Sequence, residues 1–136
     1  MLYITTASSM MKTNSVYKYY NRNPDGEHVE DCVCRAISTA TGLNYSAVNN
    51  LLRLTAEYYT CEKLCVCCYH NLLENVLEYD RYDCTEYETV EDVAKRHPNS
   101  KLLIRIDAHL TSSIKGTVDD IWDCSDKLVD CYWIVE

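Results

Sequence analysis

At 136 residues the chain suits a single compact domain, long enough to bury roughly two thirds of its unfolded surface and fold without staples. Its 21 acidic residues against 13 basic ones, a net charge of -8, repel phosphate backbones with no basic patch to compensate, so nucleic acid is not an expected partner. No apolar run approaches the roughly 18 residues of a membrane helix, and the early apolar residues are interrupted by Thr5, Ser8 and Ser9 and followed by Lys12, which is not the order of an export signal.

Residues 1–30 read as a polar, irregular leading segment, and "NRNPDGEHVED" at 21–31 has the Asn, Pro, Asp and Gly of turns. From Asp31 a helix is expected, with Asp31 as N-cap, Val33, Ala36, Ile37 and Ala40 at helical spacing and Gly42 just past its end. Asn44 or Ser46 caps a second helix through Val48, Leu51, Leu52, Leu54 and Ala56, and a third apolar-periodic segment covers 61–77. "TVEDVAKRH" reads as a short helix capped by Thr89, with Glu91 and Asp92 in its first turn and Pro98 closing it. Residues 31–98 are therefore expected to be mainly helical. From 99 to 136 the pattern turns to strands, "KLLIRID", "HLTSSI", "TVDDIW" and "DCYWIVE", with Lys115-Gly116 as a tight turn. Helices followed by an antiparallel sheet make an α+β domain.

Nine cysteines without an export signal point to a reducing cytoplasm, in which the thiols fill the core, bind metal or do chemistry. Cys32 falls in the first turn of the first helix, where unpaired N–H groups favour a thiolate. Cys34 projects elsewhere around that helix. Of His28, His70, His97 and His109, only His109 starts an expected strand, which suits a base. If Lys115 and Gly116 are the two central turn residues, Ile114 pairs with Thr117, His109 lies opposite Trp122, and Asp120 is diagonal to His109 on the same face. A three-residue loop would bring Asp123 there instead. Of Asp119, Asp120 and Asp123 on that strand, Asp120 is preferred, with Asp123 as the fallback.

"TCEKLCVCCYH" brings Cys61, Cys65, Cys67, Cys68 and His70 together, enough N and S ligands for zinc, but the spacing is not that of a standard knuckle. On a helix Cys61, Cys65 and Cys68 share a face with Leu72, so a buried apolar stripe is expected and no metal or cofactor is assigned. Cys124 and Cys131 could face each other across a final hairpin as sheet packing. Twelve tyrosines and no phenylalanine offer a contact surface or the edge of a core.

The stretches "DCVCRAISTATGLNYSAV" and "HLTSSIKGTVDDIWDCSDKLVDCYW" resemble a family of small phage and prophage proteins with DCxxRA, HLTA and DxWD motifs, itself similar to papain-like cysteine peptidases of the bacteriocin-leader-processing and staphopain-like groups. The resemblance implies a papain-like fold, with Cys32 as nucleophile, His109 as base and Asp120 as the orienting residue. It implies a peptide or protein substrate, or, for a degenerate relative, a host protein or small signalling ligand. Where such enzymes carry a Gln about six residues before the nucleophile, this chain has Gly26. Asn21 or Asn23, with the Cys32 backbone N–H, is then the expected source of oxyanion donors.

Overall fold

Leu102, Leu103 and Ile104 are all fully buried, so both faces of the strand that carries them, β3 (Lys101–Ile106), are covered. An unbroken apolar run of this kind belongs to a central strand. In the computed structural model, which describes residues 16–136, β3 runs antiparallel to β4 (His109–Ile114) on one side and β6 (Val129–Ile134) on the other. Beyond β4 come β5 (Thr117–Asp120) and β1 (Tyr17–Tyr19), and beyond β6 comes β2 (Arg81–Asp83). The six strands lie in the order β1-β5-β4-β3-β6-β2.

Three helices cover one face: α1 (Cys32–Thr41), α2 (Tyr45–Tyr59) and α3 (Val66–Asn71), the last continuing into a wider π turn, Leu72–Val76. Val33, Ile37, Leu52 and Leu72 pack there against Leu103, Leu110 and Trp133. On the opposite face Val90, Val93 and Ala94 of α4 (Val90–Arg96) meet Leu102, Ile104, Val118 and Tyr132. Side chains alternate faces along β6 except at Asp130, where the β3–β6 register slips by one residue. This bulge returns Val129 to the α4 side.

Local signals explain most ends. Asn44 accepts from the Ser46 and Ala47 amides at the start of α2, and Thr89 and Asp92 form a reciprocal capping box on α4. Gly42 closes α1 in the left-handed conformation. Asp31 precedes α1 without capping it, because its carboxylate is engaged elsewhere.

The α+β expectation holds at this level, with four corrections. The sheet is mixed: β1, inside the segment expected to be irregular, pairs parallel with β5. A second unexpected strand, β2, interrupts the stretch expected to be mainly helical and extends the sheet beyond β6. Helices cover both faces of the sheet, since α4 packs opposite the other three. Residues 61–77 are not one helix, because Cys65 accepts the Cys68 amide as an N-cap and Cys61 stays in the preceding turn. The apolar opening weighed as an export signal lies at residues 1–12, outside the described residues. No helix among the described residues is long and apolar enough to cross a membrane.

Truncating Leu103, buried between α1–α3 and the sheet, should cost about 2–5 kcal/mol in a urea or thermal melt of Leu103→Ala. Tyr87→Ser, at a side chain 92% exposed, should stay within about 0.5 kcal/mol of the parent.

Candidate active site

The two-residue turn Lys115-Gly116 sets the site. Both residues have positive φ, 51° and 84°, as a type I′ hairpin turn requires, and Ile114 pairs with Thr117 as expected. Continuing that register places Asp120 level with Thr111, whose hydroxyl donates to Asp120 Oδ2 at 2.6 Å. His109, two residues earlier on β4, brings Nε2 to the same oxygen, also at 2.6 Å. The ring is nearly closed off, with 9% of its side chain exposed, and Trp122 covers it at 5.0 Å between ring centroids.

Cys32 is the first residue of α1 and lines both cavities at this site together with His109, close enough for the imidazole to act on the titration of its thiol. Since Nε2 is committed to Asp120, Nδ1 is the nitrogen left to face the thiol. Burial pushes the Cys32 pKa up, but His109, the Leu110 amide and the charge of Arg35 together bring it below the ordinary thiol value. Burial opposes the imidazolium of His109 as well, yet its bond to Asp120, with the Cys124 and Cys32 thiols nearby, raises its pKa to about 11. Asp120, despite burial, is held below the usual carboxylate range by His109 and Thr111. All three shifts favour one state: thiolate, imidazolium and carboxylate in a row.

Two cavities meet at this pair. One of about 270 Å³ is lined by Val66, Tyr69, Arg105, Asp107 and Asp130. The other, about 430 Å³, is lined by Val29, Glu30, Ile121 and Trp122. Cys32, Val33, Leu64, Ala108 and His109 border both. Ala108 has a left-handed backbone, φ 55°, so the residue entering β4 just before His109 carries the strain of an L residue in that region.

The structure thus brings Cys32, His109 and Asp120 together and leaves other candidates apart. Asp123 accepts from the Ser125 amide and hydroxyl in an exposed turn. Asp119 has a buried carboxylate oxygen without a hydrogen-bond partner. Neither suggested amide donor lines the two cavities: Asn21 Nδ2 donates to the Glu27 carbonyl and Asn23 Nδ2 to Asp31. Gly26 sits in an exposed turn at φ 68°. The donors at hand for an oxyanion are therefore the first amides of α1.

Two residues at the site escaped the sequence. Arg35 Nη1 reaches Asp120 Oδ1 at 3.1 Å. Its spacing of four from Asp31 was the available signal, since such pairs meet on a helix, but nothing in the sequence linked it to Asp120. Cys124 is buried against Asp120 Oδ2 at 3.9 Å and packs on the α4 side while Cys131 packs on the other, so the two do not face each other.

His109, Asp120 and Cys124 are the group among the described residues whose ligand atoms converge, within 4.8 Å of one another. The Asp120 oxygens are already taken by His109, Thr111 and a guanidinium, a poor setting for a cation. The thiols of Cys65, Cys67 and Cys68 lie near that of Cys61, and burial followed by their influence pushes its pKa up to about 12. These sulfurs do not converge in the same way on a common centre. His70 is held between Arg81 and Arg105 beside Glu74 and takes no part in the Cys32 site.

Comparison with protein-family models, with curated proteins and with solved structures finds no match for this chain.

A lowered thiol pKa keeps Cys32 partly ionised below the ordinary thiol range, and its reactivity should fall only as pH drops through that lower value. Carboxymethylation at pH 6, followed by peptide mass spectrometry, should therefore run about tenfold or more faster at Cys32 than at the exposed Cys67. His109→Ala should erase the difference.

Proposed function

We propose that the chain is a papain-like thiol hydrolase or acyltransferase of the type met in small phage and prophage proteins, acting on a peptide or protein substrate in a reducing cytoplasm. The observation that carries the reading is the imidazole of His109, bonded to the carboxylate of Asp120 and set beside the thiol of Cys32 at the junction of two cavities. An imidazole so placed receives or returns one proton beside a nucleophile, which is what acyl transfer needs.

The chemistry follows from the positions. The Cys32 thiolate attacks a carbonyl carbon in the cleft, and the carbonyl oxygen takes the displaced electron pair next to the first amides of α1. Collapse of that adduct breaks the carbon–nitrogen bond, and His109 gives its proton to the leaving amine. A thioester on Cys32 remains. Water, deprotonated by His109, then releases the acid; an amine in its place would give transacylation. Asp120 keeps the imidazole turned toward Cys32 and balances its charge throughout.

One observation favours a second reading, a degenerate relative that binds a host protein or a small signalling ligand in the same cleft. Gly26 stands where a side-chain oxyanion donor is expected, and Asn21 and Asn23 are turned to other partners. Losing one such donor costs about 100- to 1000-fold in rate.

A peptidyl vinyl sulfone separates the two, since it reacts fastest with a thiolate against which the cleft positions its peptide backbone. The enzyme reading expects one adduct per chain, on Cys32, absent in His109→Ala and at least about tenfold slower in Asp120→Asn, in which the imidazole loses its charged partner. Labelling spread over several thiols, or unchanged in His109→Ala, would sink it. For any peptide substrate found, Cys32→Ala should abolish turnover.

A further inference from the structure

The site above accounts for Cys32, His109 and Asp120, but it does not account for the charged chain buried behind them. Arg35, 6% exposed, lies between two carboxylates. Its Nε donates to Asp31 Oδ1 at 2.5 Å and its Nη1 to Asp120 Oδ1 at 3.1 Å. The other oxygen of Asp31 accepts from Asn23 Nδ2 at 3.0 Å and from the Tyr45 hydroxyl at 2.7 Å. Arg35 is therefore gripped at one edge by a residue that is itself held from two further directions.

The two oxygens of Asp120 have separate tasks. Oδ1 accepts from Arg35 and from the Ile121 amide at 2.7 Å, while Oδ2 accepts from Thr111 and faces His109. A carboxylate held at Oδ1 cannot swing Oδ2 away from the imidazole. Asp31 and Arg35 also bracket Cys32 at the start of α1, so the segment that presents the thiol also braces the partner of the base.

We propose that Arg35, tethered by Asp31, is a positioning residue that braces the Asp120 carboxylate against His109 and thereby sets the orientation of the imidazole beside Cys32. The inference rests on the reading of Cys32 and His109 as a working pair and adds to it the Asp31–Arg35 brace. Plain stabilisation is the competing role: a buried Arg with two carboxylates need only satisfy its own charges. That role leaves the bond between His109 and Asp120 untouched in any variant that still folds, and moves the Cys32 titration only as far as loss of the Arg35 charge does directly. The groups facing His109 are Asp120 from β5, Cys124 from the segment after it and Cys32 from α1, and the Tyr17 hydroxyl on β1 donates to the Asp120 carbonyl at 3.1 Å rather than to its carboxylate. Arg35 is thus the charged side chain that grips Asp120 from the side away from His109.

The test uses the full chain and two readouts, the pH profile of Cys32 carboxymethylation and the ring proton and nitrogen NMR signals of His109. In folded Arg35→Met the acid limb of the profile should move up by about one pH unit, so that alkylation at pH 6 slows about tenfold. The downfield proton signal of an imidazolium N–H bound to a carboxylate should weaken or vanish. Arg35→Lys should recover part of both, since it keeps the charge but not a fork that spans two carboxylates. A folded Arg35→Met with an unchanged His109 signal overturns the proposal, even where the Cys32 profile moves through loss of the nearby charge. Should Arg35→Met fail to fold, Asp31→Asn, which removes the charge of the tether and turns one of its accepting oxygens into a donor, must weaken the His109 signal, and an unchanged signal overturns the proposal equally. If the parent shows no special Cys32 reactivity while the His109 signal still depends on Arg35, the positioning role stands and the enzyme reading falls.

Discussion

The register of one hairpin governs the site. Side chains alternate along a strand with a period of two, so a slip of a single residue between β4 and β5 would turn Asp120 away from His109 and leave a different acid in its place. What prevents the slip is local: Lys115 and Gly116 both adopt the left-handed conformation, and a turn of that kind closes only with two residues between the paired strands. Burial adds to it. Val118 lies in the α4-side core between Asp119 and the turn, and the opposite register would expose it while forcing a charged neighbour inward. Hydrophobic burial and turn geometry thus fix, two residues further along, a polar contact that neither involves directly.

The second constraint is electrostatic. Asp31, Arg35, Asp120 and His109 are all withdrawn from water, with side-chain exposures of 9% or less. An isolated charge there would be expensive, and pairing repays that cost only when the remaining donors and acceptors are also satisfied. Here alternation of sign meets the demand: carboxylate, guanidinium, carboxylate, imidazolium, and the Cys32 thiolate at the end. Stability alone is a weak reason to keep such a chain, since well-packed apolar residues would serve as well or better. A charge held in a fixed place next to a titrating pair is a stronger one, because in a medium of low polarisability it acts at full strength and needs no reorganisation when a proton moves.

How far the sequence disclosed this depended on whether the relevant signal was local. The cap before α2, the capping box of α4, the apolar run of β3 and the Lys115-Gly116 turn each lie within a few residues, and each stands where local chemistry put it. From the turn alone, Asp120 could be preferred to Asp123. β1 and β2 were not legible, because three residues are too few to show a period and both sit at sheet edges where side chains are largely exposed. The turn around Cys61 was missed for another reason. Apolar spacing from 61 to 77 suits a helix, but the Cys65 thiol accepts the amide of Cys68 and starts the helix later than the pattern does. Arg35 shows the limit most clearly: its contact with Asp31 spans four residues, whereas its contact with Asp120 spans 85 and exists only once the sheet has formed.

Rigid and irregular parts of the molecule divide the site between them. Cys32, His109 and Asp120 come from one helix start and two paired strands, elements fixed by burial on both faces of the sheet. Leu64, which borders both cavities, and Val66, which borders one, come from the link after α2 and the first residue of α3. That link leaves α2 through Thr60 in a left-handed conformation, unfavourable for a β-branched residue, and nearly half of Leu64 remains exposed. On the proposed reading, changes there would alter the cavity walls without disturbing the hairpin or the buried charges. The sheet and α1 thus hold Cys32, His109 and Asp120, while part of the cavity wall comes from a link anchored to the core mainly through Cys61 and Cys65.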